Sequence, residues 1–238
     1  MDIPSSLAIV ALAALIHASF QLSVSVFTLL SGHAIGAKRS QAKVLRLGWG
    51  FIAGVGVMTL LVLSFISLLL LHSFSETGIP LVIWAMACGL VFGIGIAVWL
   101  FYFRKEKGTK LWIPRPMAEH LTNRSKATKH SVEAFSLGLT SVVGELVFII
   151  PSMVVSALVL LELPSAWQLV GIAVYVVISL SGLVAVSSLI GSGHSISKIQ
   201  KWREDNKRFL QFAAGSALIA LSFFVYISKV IAEASGVL

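Results

Sequence analysis

Residues 134–161 read AFSLGLTSVVGELVFIIPSMVVSALVLL, an apolar run from Ala134 to Leu161 that holds one acidic residue, Glu145, and one proline, Pro151. The run exceeds the roughly 17–25 residues that an α-helix needs to cross a hydrocarbon core about 30 Å thick. Its apolar residues are continuous rather than alternating, which is the pattern of a spanning helix and not of a membrane-barrel strand. Five further runs share this character. They extend from about Ser5 to Leu30, Trp49 to Leu71, Pro80 to Phe103, Ala166 to Ile190 and Phe209 to Ile231. The expected fold is an all-α integral membrane protein with six transmembrane helices.

Composition agrees. Of 238 residues, 57% are hydrophobic and 12% are charged, against about 25% charged in an ordinary soluble domain. That excludes a disordered chain and argues against a soluble globule. A nucleic-acid binder of similar basicity would carry many more charges, so no nucleic-acid partner is expected from the net charge of +8. One cysteine, Cys88, permits no intrachain disulfide and no Cys-based metal set. The stretch before the first run is Met1-Asp2-Ile3-Pro4, with no Lys or Arg. A secretory signal wants a basic leader, so this run reads as a retained helix, with Pro4 at its start.

The placement of charge predicts orientation. Of the 18 Lys+Arg, 17 fall in the connections after the first, third and fifth runs, which six crossings put on one side. The other side has Asp2, Glu76, Glu162 and Glu233, with Lys229 at a helix end. The positive-inside rule makes the basic loops cytoplasmic and both termini extracytoplasmic. The expected location is a plasma membrane or a bacterial inner membrane.

The chain divides into a first three-helix half (1–103), a basic cytoplasmic linker (104–130) and a second three-helix half (131–238). The linker contains Trp112-Ile113-Pro114-Arg115-Pro116, which resists a continuous helix, and reads as solvated chain near anionic headgroups. Three helices per half force opposite orientations. Ala87-Cys88-Gly89 and Ala213-Ala214-Gly215 sit at similar depth, and Trp49 and Trp167 open the second helix of each half. An inverted 3+3 repeat, a recurring transporter plan, is the expected arrangement.

On these features the chain resembles the lysine-exporter superfamily, which includes solute exporters and the cytochrome c biogenesis transmembrane proteins that carry reducing equivalents. The resemblance covers nearly the whole chain as a pattern. Local matches are Phe27 to Gly36 after helix one, Phe135-Ser136-Leu137-Gly138-Leu139 opening helix four, and Ala87 to Gly93 in helix three. The redox branch carries a thiol in helix one and another in helix four, and this chain has neither. The exporter branch often has a proline-containing break in the first helix of both halves. Here helix four has Pro151, whereas helix one has His17-Ala18-Ser19-Phe20-Gln21.

Candidate site residues follow from the cost of burying polarity in lipid. A carboxylate at the bilayer centre costs roughly 2.5–3.5 kcal/mol on insertion scales, and intramembrane acids usually mark ion or substrate paths. Glu145 is therefore the expected coupling-ion or cation site. Ser141, Ser152 and Ser156 share its side of helix four, and Pro151 frees the carbonyl of Val147 and is expected to kink the helix. His17, Gln21, Ser25 and Thr28 share a face of helix one. His17 is the expected partner of Glu145, with the two stripes meeting in the bundle. Gly50 with Gly54 and Gly89 with Gly93 are expected to allow close helix approach. Lys229 is expected to reach toward the interface.

The leading expectation is a transporter, an exporter of a small solute or ion, with proton coupling at Glu145. Substrate or coupling-ion residues are Glu145, His17, Gln21, Pro151, Ser152 and Ser141. No phosphate loop, zinc-protease or hydrolase signature is present, so no enzyme activity and no cofactor are expected, and a metal role is left open. The expected partners are the bilayer and the solute, with a homodimer among the allowed states. Two other readings stand: a redox or cytochrome-assembly protein working through Cys88, and a non-catalytic scaffold subunit.

Overall fold

A computed structural model describes residues 1–19, 22–36, 40–74, 78–102 and 115–235, and these are all-helical. The elements are α1 (Ile3–Ser19), α2 (Leu22–Gly36), α3 (Gln41–Phe74), α4 (Leu81–Ala97), α5 (Arg115–Ala127) and α6 (Ser131–Val143). They continue as α7 (Leu146–Glu162), α8 (Ser165–Ser179), α9 (Ser181–Gly191), α10 (Ile196–Asp205), α11 (Lys207–Val225) and α12 (Ala232–Ala234). A π-helical turn extends α4 over Val98–Tyr102, and another joins α11 to α12 over Tyr226–Ile231.

Three helical stretches, Gln41–Phe74, Leu81–Phe101 and Lys207–Ala234, are long and apolar enough to cross a membrane. Three bent pairs bring the number to six if each pair makes one crossing. The pairs are α1 with α2 at 47°, α6 with α7 at 79°, and α8 with α9 at 44°. The first, fourth and fifth apolar runs, each read above as one helix, are therefore each two helices.

The outward faces explain the apolar composition. Leu61 and Phe65 on α3, Met86 on α4, Leu169 and Val177 on α8, and Phe223 on α11 are all exposed. So large an apolar surface suits lipid rather than water. The interior is also apolar, and Phe27, Phe51, Trp84, Met153 and Leu183 are fully buried.

Glycines set the closest approaches. A Cβ on Gly54 would come within 2.1 Å of the Phe135 carbonyl oxygen, and one on Gly138 within 2.2 Å of that of Phe51. Gly50 likewise faces the Ser131 backbone at 2.8 Å. The expected Gly50–Gly54 contact is thus the seam between α3 and α6. Gly89 and Gly93 instead face open space. The seam between α4 and α11 uses Gly95 and Gly215, each of whose Cβ positions would lie 3.1 Å from the other's carbonyl oxygen.

Two further expectations change. Part of the linker is helical: in α5, Leu121 and Ser125 are buried, and α5 packs on α2. The rest of it, residues 104–114, lies outside the described residues, as do Lys38, Arg39 and Glu76. Lys229, expected at the interface, is buried and pairs with the Glu162 carboxylate. Its ammonium sits 5.4 Å from the Trp84 ring centroid.

Filling the α3–α6 seam forces backbone apart. Gly138→Val is expected to lower stability by at least about 1–3 kcal/mol, as overpacking does. Gly89→Ala and Gly93→Ala should leave the thermal midpoint of the solubilised protein unchanged. Equal midpoints for all three would contradict this seam.

Candidate functional site

The site begins at the break between α6 and α7. The Gly144 N–H donates to the Ser141 carbonyl at 3.1 Å and the Glu145 N–H to the Val142 carbonyl at 2.9 Å, a tightened last turn. Gly144 has no side chain where the chain turns against Leu22 of α2 and Met117 of α5. The Ser141 hydroxyl donates to the Gly138 carbonyl at 2.8 Å. Pro151, expected to mark the bend, lies inside the continuous α7 and is buried. Pro151, the sixth residue of α7, lacks one backbone donor, but α7 continues through it and the chain turns earlier, at Gly144 and Glu145.

Glu145 points across the bundle and is 1% exposed. Its Oε1 accepts the backbone N–H of Ser23 and, at 2.6 Å, the Ser23 hydroxyl. The Ser23 and Ser141 hydroxyls lie 2.9 Å apart. Ser23 is in the first turn of α2, where N–H groups have no partner in their own helix and the helix dipole is positive. The carboxyl of one broken span thus caps the second half of another. Its other oxygen, Oε2, has no hydrogen-bond partner among the described residues.

A second cluster lies on the same pair of spans. His17 of α1 is buried, and its Nδ1 lies 3.1 Å from the Tyr175 hydroxyl of α8. That hydroxyl is also within reach of the Ser152 side chain of α7. The Ser152 hydroxyl donates to the Ile149 carbonyl at 2.9 Å, and Ser156 to the Ser152 carbonyl at 2.9 Å. His17 Nε2 has no partner among the described residues. Ser152 follows Glu145 by about two turns of α7. At 1.5 Å per residue the clusters sit roughly 10 Å apart along that helix.

The structure brings together part of the two expected stripes. Glu145 and Ser141 are linked through Ser23, and His17 reaches Ser152 through Tyr175. His17 has Tyr175 as its partner in place of Glu145. Gln21 lies outside the described residues. Ser25 and Thr28 turn elsewhere: Arg203 of α10 donates to the Ser25 hydroxyl at 3.3 Å, and Thr28 donates to the Ser25 carbonyl. Sequence reasoning missed Ser23 and Tyr175. A serine in a helix's first turn and a tyrosine midway along an apolar helix, whose hydroxyl needs a partner, were the available signals.

Chemically, the arrangement offers a carboxyl with one oxygen fixed and one without a partner among the described residues, two hydroxyls, and an imidazole with one nitrogen likewise without a partner among the described residues. The carboxyl and the imidazole are each able to take up a proton. Among the described residues no group of three or more His, Cys, Asp or Glu converges as a metal site. Cys88 is buried between α4 and α11, where its carbonyl accepts the Ser222 hydroxyl at 2.8 Å. Compared with known proteins, the chain matches no family model, no curated sequence and no solved structure.

Removing the Tyr175 hydroxyl strands a buried imidazole. Tyr175→Phe is expected to lower unfolding stability by about 1–3 kcal/mol. A double-mutant cycle of Ser23→Ala with Glu145→Gln should show coupling of about 0.5–3 kcal/mol. Additive effects would separate the two residues energetically.

Proposed function

We propose that the protein is a multi-pass membrane transporter that exports a small solute or ion through the polar site between its first and fourth spans. The observation that carries this reading is Glu145, buried at a helix break with one carboxyl oxygen committed to Ser23 and the other without a hydrogen-bond partner among the described residues. Broken spans whose half-helix ends face each other near mid-bilayer are how many transporters place an ion or solute site. The clusters at Glu145 and His17 supply two protonatable groups on one interface, which suits proton coupling.

The proposed architecture is six spans in an inverted 3+3 repeat. Packing supports it by its reciprocity: α3 of the first half packs on α6, the opening of the second half. In turn α8 of the second half packs on α1, the opening of the first. The third spans, α4 and α11, pack on each other, and both run into a π-helical turn. Both opening spans are bent, as the resemblance to the lysine-exporter superfamily implies, although only the second has a proline in its interior. With the basic connections cytoplasmic, both termini lie outside.

Glu145→Gln should abolish solute or proton flux in reconstituted vesicles while the protein inserts and keeps its thermal midpoint within a few degrees. Unimpaired flux in that variant would remove the reading. For topology, single cysteines placed in a Cys88→Ser background at Ser40, Asn123 and Ser195 should react with an impermeant thiol reagent only from the cytoplasmic side. Labelling of Ser40 and Ser195 from opposite sides would break the six-span arrangement.

A further inference from the structure

A second concave site lies at the far end of the 17-residue α7, roughly 25 Å along that helix from Glu145. It is a cavity of about 500 Å³ walled by Leu70 and Phe74 of α3, Ile79 before α4, Leu161 and Glu162 of α7, and Glu233 of α12. That volume is within the roughly 300–1,000 Å³ of small-molecule sites. Among the described residues its charged groups are both carboxylates; the side chains between them are aliphatic or aromatic, with Gly78 alongside, and polar atoms, backbone included, make up slightly more than half of the exposed lining.

Glu162 faces two ways. On one side its carboxylate pairs with Lys229, whose side chain is 6% exposed and lies over Trp84. On the other side it opens to the cavity, with its side chain 29% exposed. One ammonium set against two carboxylates leaves the site one negative charge in excess. An anion is repelled there, and a neutral polar molecule gains little. A cation with a hydrocarbon body satisfies both the charge and the walls.

We propose that this cavity binds a primary ammonium carried on an apolar body, with the ammonium on Glu162 and Glu233 and the body against Leu70, Phe74, Ile79 and Leu161. A free amphipathic amine and the ethanolamine headgroup of a lipid share this chemistry. Lys229 is the built-in competitor, holding Glu162 until a ligand ammonium shares it, and the Trp84 face offers the lysine a second resting contact. The proposal is independent of the Glu145 site.

The test uses the full chain in nanodiscs of phosphatidylcholine and phosphatidylglycerol, titrated calorimetrically with 2-phenylethylammonium. Saturable binding is expected, with none for neutral 2-phenylethanol. Glu162→Gln should weaken it about tenfold, the loss of one charge-assisted contact. Glu233→Gln should weaken it less, and Lys229→Met should strengthen it, because the competitor has gone. The paired variant Glu162→Gln with Lys229→Met removes both charges together and should stay folded while binding remains about tenfold weaker than in the unaltered chain, which separates ligand loss from misfolding. Adding phosphatidylethanolamine to the discs distinguishes the sources: a higher apparent Kd supports the lipid headgroup, an unchanged one the free amine. Absence of saturable binding in the discs that lack phosphatidylethanolamine overturns the proposal. So does binding that Glu162→Gln and Lys229→Met leave unaltered.

Discussion

The hydrogen bonds between Glu145 and Ser23 are the constraint on which the interior depends. A helix that breaks inside lipid exposes N–H groups that no water can serve, at a cost of several kcal/mol for each one left unsatisfied. Here the first turn of α2 is served by a carboxyl from the break of another span. Two interruptions that would each be unfavourable alone thereby support each other. The same carboxyl keeps one oxygen outside that structural task, so the group that holds the breaks together is also the group with chemistry to offer.

Hydroxyl groups show the same division. Most serines and threonines in the spans return their proton to their own helix, as Thr140 does to Ser136 and Ser216 to Phe212. Such bonds satisfy a polar group in lipid without joining helices. The few that cross are different in kind. Ser23 reaches Glu145 and Ser141, and Ser222 reaches the Cys88 carbonyl. They tie α2 to the α6–α7 break and α4 to α11.

Much of this was legible in the sequence because the bilayer imposes a length. The apolar runs, the cost of Glu145 and the Gly50–Gly54 pair all follow from period and hydropathy. What was not legible depended on a distant partner. Pro151 drew attention as the bend, yet the chain turns at Gly144–Glu145, because the Glu145 side chain finds its acceptor role across the bundle. Ser23 and Tyr175 are ordinary residues until the fold sets Glu145 and His17 against them. Gly89 and Gly93 have the same spacing as Gly50 and Gly54, but only the second pair faces a neighbour; spacing does not say which side of a helix meets protein and which meets lipid. Lys229 looked like an interfacial lysine because Glu162 is far away in sequence.

The length of α3 has a mechanical consequence. Its 34 residues make a rod roughly 50 Å long, of which the apolar stretch from Trp49 to Leu71 is roughly 35 Å, a little more than a hydrocarbon core of about 30 Å. A rod of that length relieves hydrophobic mismatch by leaning, and its lean changes with the thickness of the surrounding bilayer. Gly54 and Gly138 clasp it to α6 with backbone against backbone, so α6 must follow. The far end of α6 is the Gly144–Glu145 turn. Membrane thickness is therefore a lever on the polar site, acting through a contact too close to slip.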